Sequence, residues 1–103
     1  MEKSIQTLVE ECHAQAREKG FWDRDRNVGE MLMLIVSELG EAVEAHRKGQ
    51  FGLNQKDTFE DELADTAIRL FDLCGGLKVD LAGQIAWKMA YNQGREQKHG
   101  KHY

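Results

Sequence analysis

The sequence predicts an all-α domain spanning residues 1–103, and three observations predict it. Apolar side chains recur at three- and four-residue steps in four separate segments, the period of a helix with one buried face. Helix-start and helix-stop signals fall between those segments, and the chain contains no proline to interrupt them. At 103 residues and 11.8 kDa, with 41% hydrophobic residues, the chain is long enough for one small core and one only.

Residues 4–19 form the first expected helix, with Ile5, Leu8, Val9, Cys12 and Ala16 on its apolar side and Lys19-Gly20 as its stop. Glu10-x-x-His13 has the spacing used by di-iron bundles, but that chemistry needs two such pairs and the chain has one. His13 is therefore expected to be a surface or partly buried histidine. Phe21 and Trp22 then open a polar connection that runs through Asn27. Trp22 has two readings, a lid on the core or a flat surface for stacking a nucleobase.

Asn27 followed by Glu30 resembles a capping box, so a second helix is expected from there to about Lys48, stopping at Gly49. Val28, Leu32, Ile35, Leu39, Ala42 and His46 give it a heptad-like stripe. Asp57 and Glu60 have capping-box spacing too and set the expected start of a third helix, ending at Gly75-Gly76. Its apolar side carries Phe59, Leu63, Leu70 and Cys74, with Glu62, Asp65, Arg69 and Asp72 on the neighbouring stripe. Asp80 is the expected cap of a fourth helix, about 81–97. Its stripe of Leu81, Ile85, Lys88, Asn92 and Arg95 begins apolar and turns basic, so the helix either leaves the bundle or lines a polar interior. The basic tail Lys98–Tyr103 is expected to be mobile.

Two short acidic repeats stand out, Glu38-Leu39-Gly40-Glu41 and Glu62-Leu63-Ala64-Asp65. Each sets two carboxylates one turn apart on the same side of a helix. At about 100° per residue, Glu38 falls among Met31, Leu34, Ala42 and Ala45, so its surroundings are apolar. A carboxylate there costs several kcal/mol to desolvate unless it is paired or bound to a metal. Oxygen ligands of this hardness suit Mg²⁺, with Mn²⁺ as a substitute, and a phosphate compound as substrate. Glu44 lies on the flank and is expected to be solvated. Arg69 is the expected charge partner of the acids, or else a phosphate contact.

Function classes are bounded by composition. The formal charge is −4, and 18 acidic residues face 14 basic ones, so the four motif carboxylates account for the whole excess. That balance argues against a nucleic-acid polymer as partner. No segment is apolar enough to span a membrane and the first residues lack a signal-peptide core, so a cytoplasmic location is expected. Cys12 and Cys74 sit within apolar helical patterns and are expected to be reduced.

Glu38-x-x-Glu41 followed by Glu62-x-x-Asp65 resembles the signature of the MazG-like, all-α nucleoside triphosphate pyrophosphohydrolases. Ser37–Glu44, Asp61–Asp65 and Lys88-Met-x-x-Asn92-x-x-Arg95 extend the resemblance, which covers about residues 25–101. It implies a four-to-five-helix bundle whose core is completed in a homodimer or a dimer of dimers. It further implies Mg²⁺-dependent cleavage of a nucleoside triphosphate between the α and β phosphates, giving a monophosphate and pyrophosphate. By motif position, Glu38, Glu41, Glu62 and Asp65 would be metal ligands, with Glu38 or Glu41 also orienting or deprotonating the attacking water. Lys88, Asn92 and Arg95 would contact substrate phosphates or sugar, and Trp22 the base. The alternative is a non-catalytic metal- or nucleotide-binding module of the same fold, or an interaction protein whose acids pair with Arg69, Lys88 and Arg95.

Overall fold

A computed structural model describes residues 2–95. Among them are four helices and no strand: α1 (Ile5–Glu18), α2 (Val28–Arg47), α3 (Phe59–Leu77) and α4 (Leu81–Gln93). The basic tail lies outside the described residues, as do positions 96 and 97 of the expected fourth helix.

Side-chain caps fix where each helix begins. Ser4 Oγ accepts the Thr7 N–H at 3.0 Å, Asn27 Oδ1 that of Glu30 at 2.9 Å and Asp80 Oδ1 that of Gly83 at 3.0 Å. The cap of α3 differs from the expected one. Asp57 has φ +66°, outside the helical region, so Thr58 caps instead and its Oγ1 accepts the Asp61 N–H at 3.2 Å. Asp61 reaches back to the Asp57 N–H at 2.8 Å, while Glu60 is taken up by the Gly52 N–H at 2.8 Å.

The end of α3 is a second correction. The helix does not stop at Gly75-Gly76 but runs through both and closes at Lys78, which has φ +60°. The two glycines let α1 and the connection after it approach α3. A Cβ on Gly75 would lie 2.6 Å from His13 Cβ, and one on Gly76 would overlap the Trp22 ring. Glycine here is a packing residue within a helix, not a stop.

Packing sets α3 between α1 and α2, with α4 leaning mainly on α1. The core is small: Val9, Ala16, Met31, Ala42, Ala45, Leu73 and Cys74. On α2 the buried face is Met31–Ala42–Ala45, whereas Val28, Leu32 and Leu39 of the expected stripe are exposed. Leu34, Val36 and Val43 are exposed as well, so α2 carries more apolar surface than one chain covers. The radius of gyration is 16.2 Å, against about 13 Å for a compact chain of this length. Every residue of α4 from Ala86 onward is exposed, so this helix leaves the bundle. No helix among the described residues is long and apolar enough to cross a membrane. Cys12 and Cys74 are free thiols, and burial pushes both up from their ordinary pKa.

Candidate functional site

The stripe logic of α2 and α3 brings Glu38, Glu62 and Asp65 together, with one carboxylate oxygen of each within 4.8 Å of the others. Glu62 is buried, and Glu38 and Asp65 are half-buried. Glu41, one turn along α2, is exposed and is not a member of this group. It still lies close enough for its charge to act on Glu62. A second acidic group, Asp57, Asp61 and Glu62, shares Glu62 with the first.

Cations around these acids are scarce. Arg69 Nε donates to Glu38 Oε2 at 2.8 Å, the charge partnership expected from sequence. Lys88 and Arg95 pair with no acid among the described residues. They lie over the Tyr91 ring of α4, at 4.9 and 5.8 Å from its centroid, and Trp87 stacks on Tyr91 at 5.4 Å. A structural role for the acids as a salt-bridge lattice with Arg69, Lys88 and Arg95 therefore loses two of its three cations.

Repulsion is felt by the acids themselves. Desolvation, then the charges of Asp65, Glu38, Glu41 and Asp61, raise the pKa of Glu62. Desolvation, then Asp61 and Glu38, raise that of Asp65, with Arg69 and Lys56 opposing. Carboxylates crowded with one guanidinium between them fit a hard divalent cation, which replaces mutual repulsion by shared attraction.

Glu38 and Asp65 also border an open cleft of about 270 Å³ between α1, α2 and α3. Arg69, Asp72, Arg26 and Phe21 continue its walls. Asp72 is buried and collects three donors. Its Oδ1 accepts Trp22 Nε1–H at 2.8 Å and lies 3.0 Å from His13 Nδ1, and its Oδ2 lies 3.4 Å from an Arg26 nitrogen. Trp22 is thus held against α3, edge-on to His13 at 5.0 Å and beneath the Arg26 guanidinium at 5.0 Å. His13 belongs to no metal-binding group among the described residues.

Of the residues singled out in the sequence, the fold collects Glu38, Glu62 and Asp65 and sets Glu41 beside them. Lys88 and Asn92 stay on the exposed outer part of α4, with Arg95 just past its end, and α4 packs mainly on α1. Arg26 and Phe21 had no motif to mark them. Asp72 did carry a signal, since it shares the α3 stripe with Asp65 and Arg69 at helical spacing. Compared with models of protein families, with curated proteins and with solved structures, the chain finds no match in any of the three.

Proposed function

We propose that this protein is a MazG-like, Mg²⁺-dependent nucleoside triphosphate pyrophosphohydrolase, cleaving between the α and β phosphates. One observation carries the reading: Glu38, Glu62 and Asp65, from two motifs resembling that family's, converge within 4.8 Å with too little positive charge to balance them. Those three residues would hold the metal. When bound, the cation neutralises phosphate charge and makes a bound water acidic near neutral pH.

The chain's own groups do the rest. Glu41 is exposed and uncommitted, so it is the carboxylate free to orient the attacking water and take its proton. Arg69 donates to Glu38 at 2.8 Å, and were Glu38 to hold the metal, its guanidinium would be free to bind a phosphate oxygen. Lys88, Asn92 and Arg95 pair with none of the acids among the described residues of one chain, and a homodimer or dimer of dimers would present them to the acids of another copy. Such an assembly would also cover Leu32, Val36, Leu39 and Val43 of α2, which one chain leaves exposed.

Product analysis tests the reaction. Purified protein is incubated with the eight common NTPs and dNTPs, with and without Mg²⁺, and products are separated. Monophosphate plus pyrophosphate, formed only with metal, is the expected result. Diphosphate plus orthophosphate would place cleavage at the wrong bond. Absence of turnover, with Mg²⁺ still raising the melting temperature, would favour a non-catalytic binding module.

A further inference from the structure

The cleft continues beyond the acids. Asp65, Arg69 and Asp72 lie four and three residues apart on one face of α3, and all three line it. From Asp65 to Asp72 is two helical turns, about 10 Å at 1.5 Å per residue. A sugar and one phosphate bridge such a separation.

At the far end the pairing is uneven. Asp72 Oδ1 receives the two short contacts, from Trp22 at 2.8 Å and His13 at 3.0 Å. Its Oδ2 has only the long contact to Arg26, at 3.4 Å. The Arg26 side chain is 19% exposed, and that contact is its one hydrogen bond among the described residues. Most of its five N–H donors are therefore left for something else. With its face on the Trp22 ring and one long contact to Asp72, the guanidinium keeps N–H donors that a group entering the open cleft can engage.

The walls carry Lys19, Arg26 and Arg69 against Glu38, Asp65 and Asp72, so the cleft offers no net positive charge to draw a phosphate to the end where Asp72 stands beside Arg26. A neutral group with an acceptor next to a donor does fit, and a nucleobase edge is such a group. The Phe21 ring on the same cleft offers an apolar surface beside it. We propose that this end of the cleft seats the base of the substrate and that Arg26 and Asp72 select it. Arg26 donates to a ring nitrogen or carbonyl oxygen, and Asp72 Oδ2 accepts the neighbouring N–H. This rests on the nucleotide reading of the acid cluster above.

Binding is the test, with cleavage scored separately. Calorimetry with the α,β-imido analogues of the four common ribonucleoside triphosphates, in Mg²⁺, should show a preferred base in the wild type. Asp72→Asn retains an oxygen for Trp22 and His13 but turns the other acceptor into a donor. It should change the affinity ratio between preferred and disfavoured bases by roughly tenfold, the worth of one good base contact. Arg26→Lys keeps the charge, loses the fork and should flatten the same ratio; it serves if Asp72→Asn does not fold. Loss of packing alone would weaken all four analogues alike and leave the ratio unchanged. Equal affinities in the wild type, or ratios unmoved by the variants that fold, would overturn the proposal. Base preference without cleavage of the parent triphosphates would keep the base-reading site and remove the hydrolase; cleavage without preference would do the reverse.

Discussion

Gly76→Ala tests the packing that holds the cleft in shape, and its sign follows from opposing magnitudes. Alanine is the better helix former, and inside α3 it should gain about 1 kcal/mol. Against this, the new methyl overlaps the Trp22 ring. Overpacking of this kind costs about 1–3 kcal/mol. The ring cannot retreat freely, because its Nε1–H is bonded to buried Asp72 at 2.8 Å. Releasing it gives up a hydrogen bond to a charged acceptor, worth about 1.5–3 kcal/mol. The net expectation is a loss of roughly 2–4 kcal/mol. For a domain of this size that lowers the melting temperature on the order of 10–20 °C. Urea unfolding followed by far-ultraviolet circular dichroism, at fixed protein concentration, measures it. Gly40→Ala is the opposite control: nothing lies within 4 Å of a Cβ there, so α2 should gain about 0.5–1 kcal/mol. A Gly76→Ala protein as stable as the wild type would refute the close approach of Trp22 to α3, and with it the frame that holds Arg26.

Burial and neighbouring acids raise Glu62 and Asp65 above their ordinary values of 4.5 and 3.8, so the metal-free folded protein binds protons more readily there than the unfolded chain. Stability in a chelator should therefore fall as pH rises through the raised values and recover as pH drops back; Glu62→Gln should flatten that slope in thermal melts, and an unchanged slope would remove Glu62 as its source. Mg²⁺ should raise the melting temperature of the wild type at neutral pH and much less that of Glu62→Gln, read by the same melts. Glu41→Gln, at an exposed position, should keep the wild-type melting temperature and lose nearly all turnover; retained turnover would take Glu41 out of the reaction. Lys88→Ala should raise KM with the Mg²⁺-dependent stabilisation intact, and an equal loss of both would make Lys88 a structural residue.

Legibility in the sequence followed the range of the contacts that place each residue. The Asn27 cap and the helical spacing that sets Glu38 near Met31, Ala42 and Ala45 are local, and those three form the buried face of α2. The heptad-like stripe through Val28, Leu32 and Leu39 did not mark it. The spacing of Glu62, Asp65, Arg69 and Asp72 put that row at the edge of the core, where Glu62 and Asp72 are indeed buried. What joins Asp72 to His13, Trp22 and Arg26 spans 59, 50 and 46 residues of chain, and no local period marks such bonds. Gly75-Gly76 misled for the same reason: a glycine pair is a stop by its own propensity and a packing site only because Trp22 and His13 arrive from elsewhere. Likewise Thr58 displaces Asp57 as cap because its hydroxyl also donates to the Gly52 carbonyl at 2.8 Å, a bond made by the preceding loop.

The outer half of α4 carries this one step further. Leu81 and Ile85 are half-buried against the bundle, and beyond them every described residue of the helix is exposed. Its Trp87–Tyr91 stack, flanked by Lys88 and Arg95, is a basic and aromatic surface. The crowded acids of α2 and α3, of which Glu38 is paired to Arg69, form its electrostatic complement. Among the described residues neither Lys88 nor Arg95 pairs with these acids, and α4 packs mainly on α1. Two copies related by a twofold axis can bring each α4 to the other's acids, so one association would balance both charges and cover the apolar side of α2. On that argument, acids and cations that lie on different helices of one chain would meet across the interface of the proposed assembly.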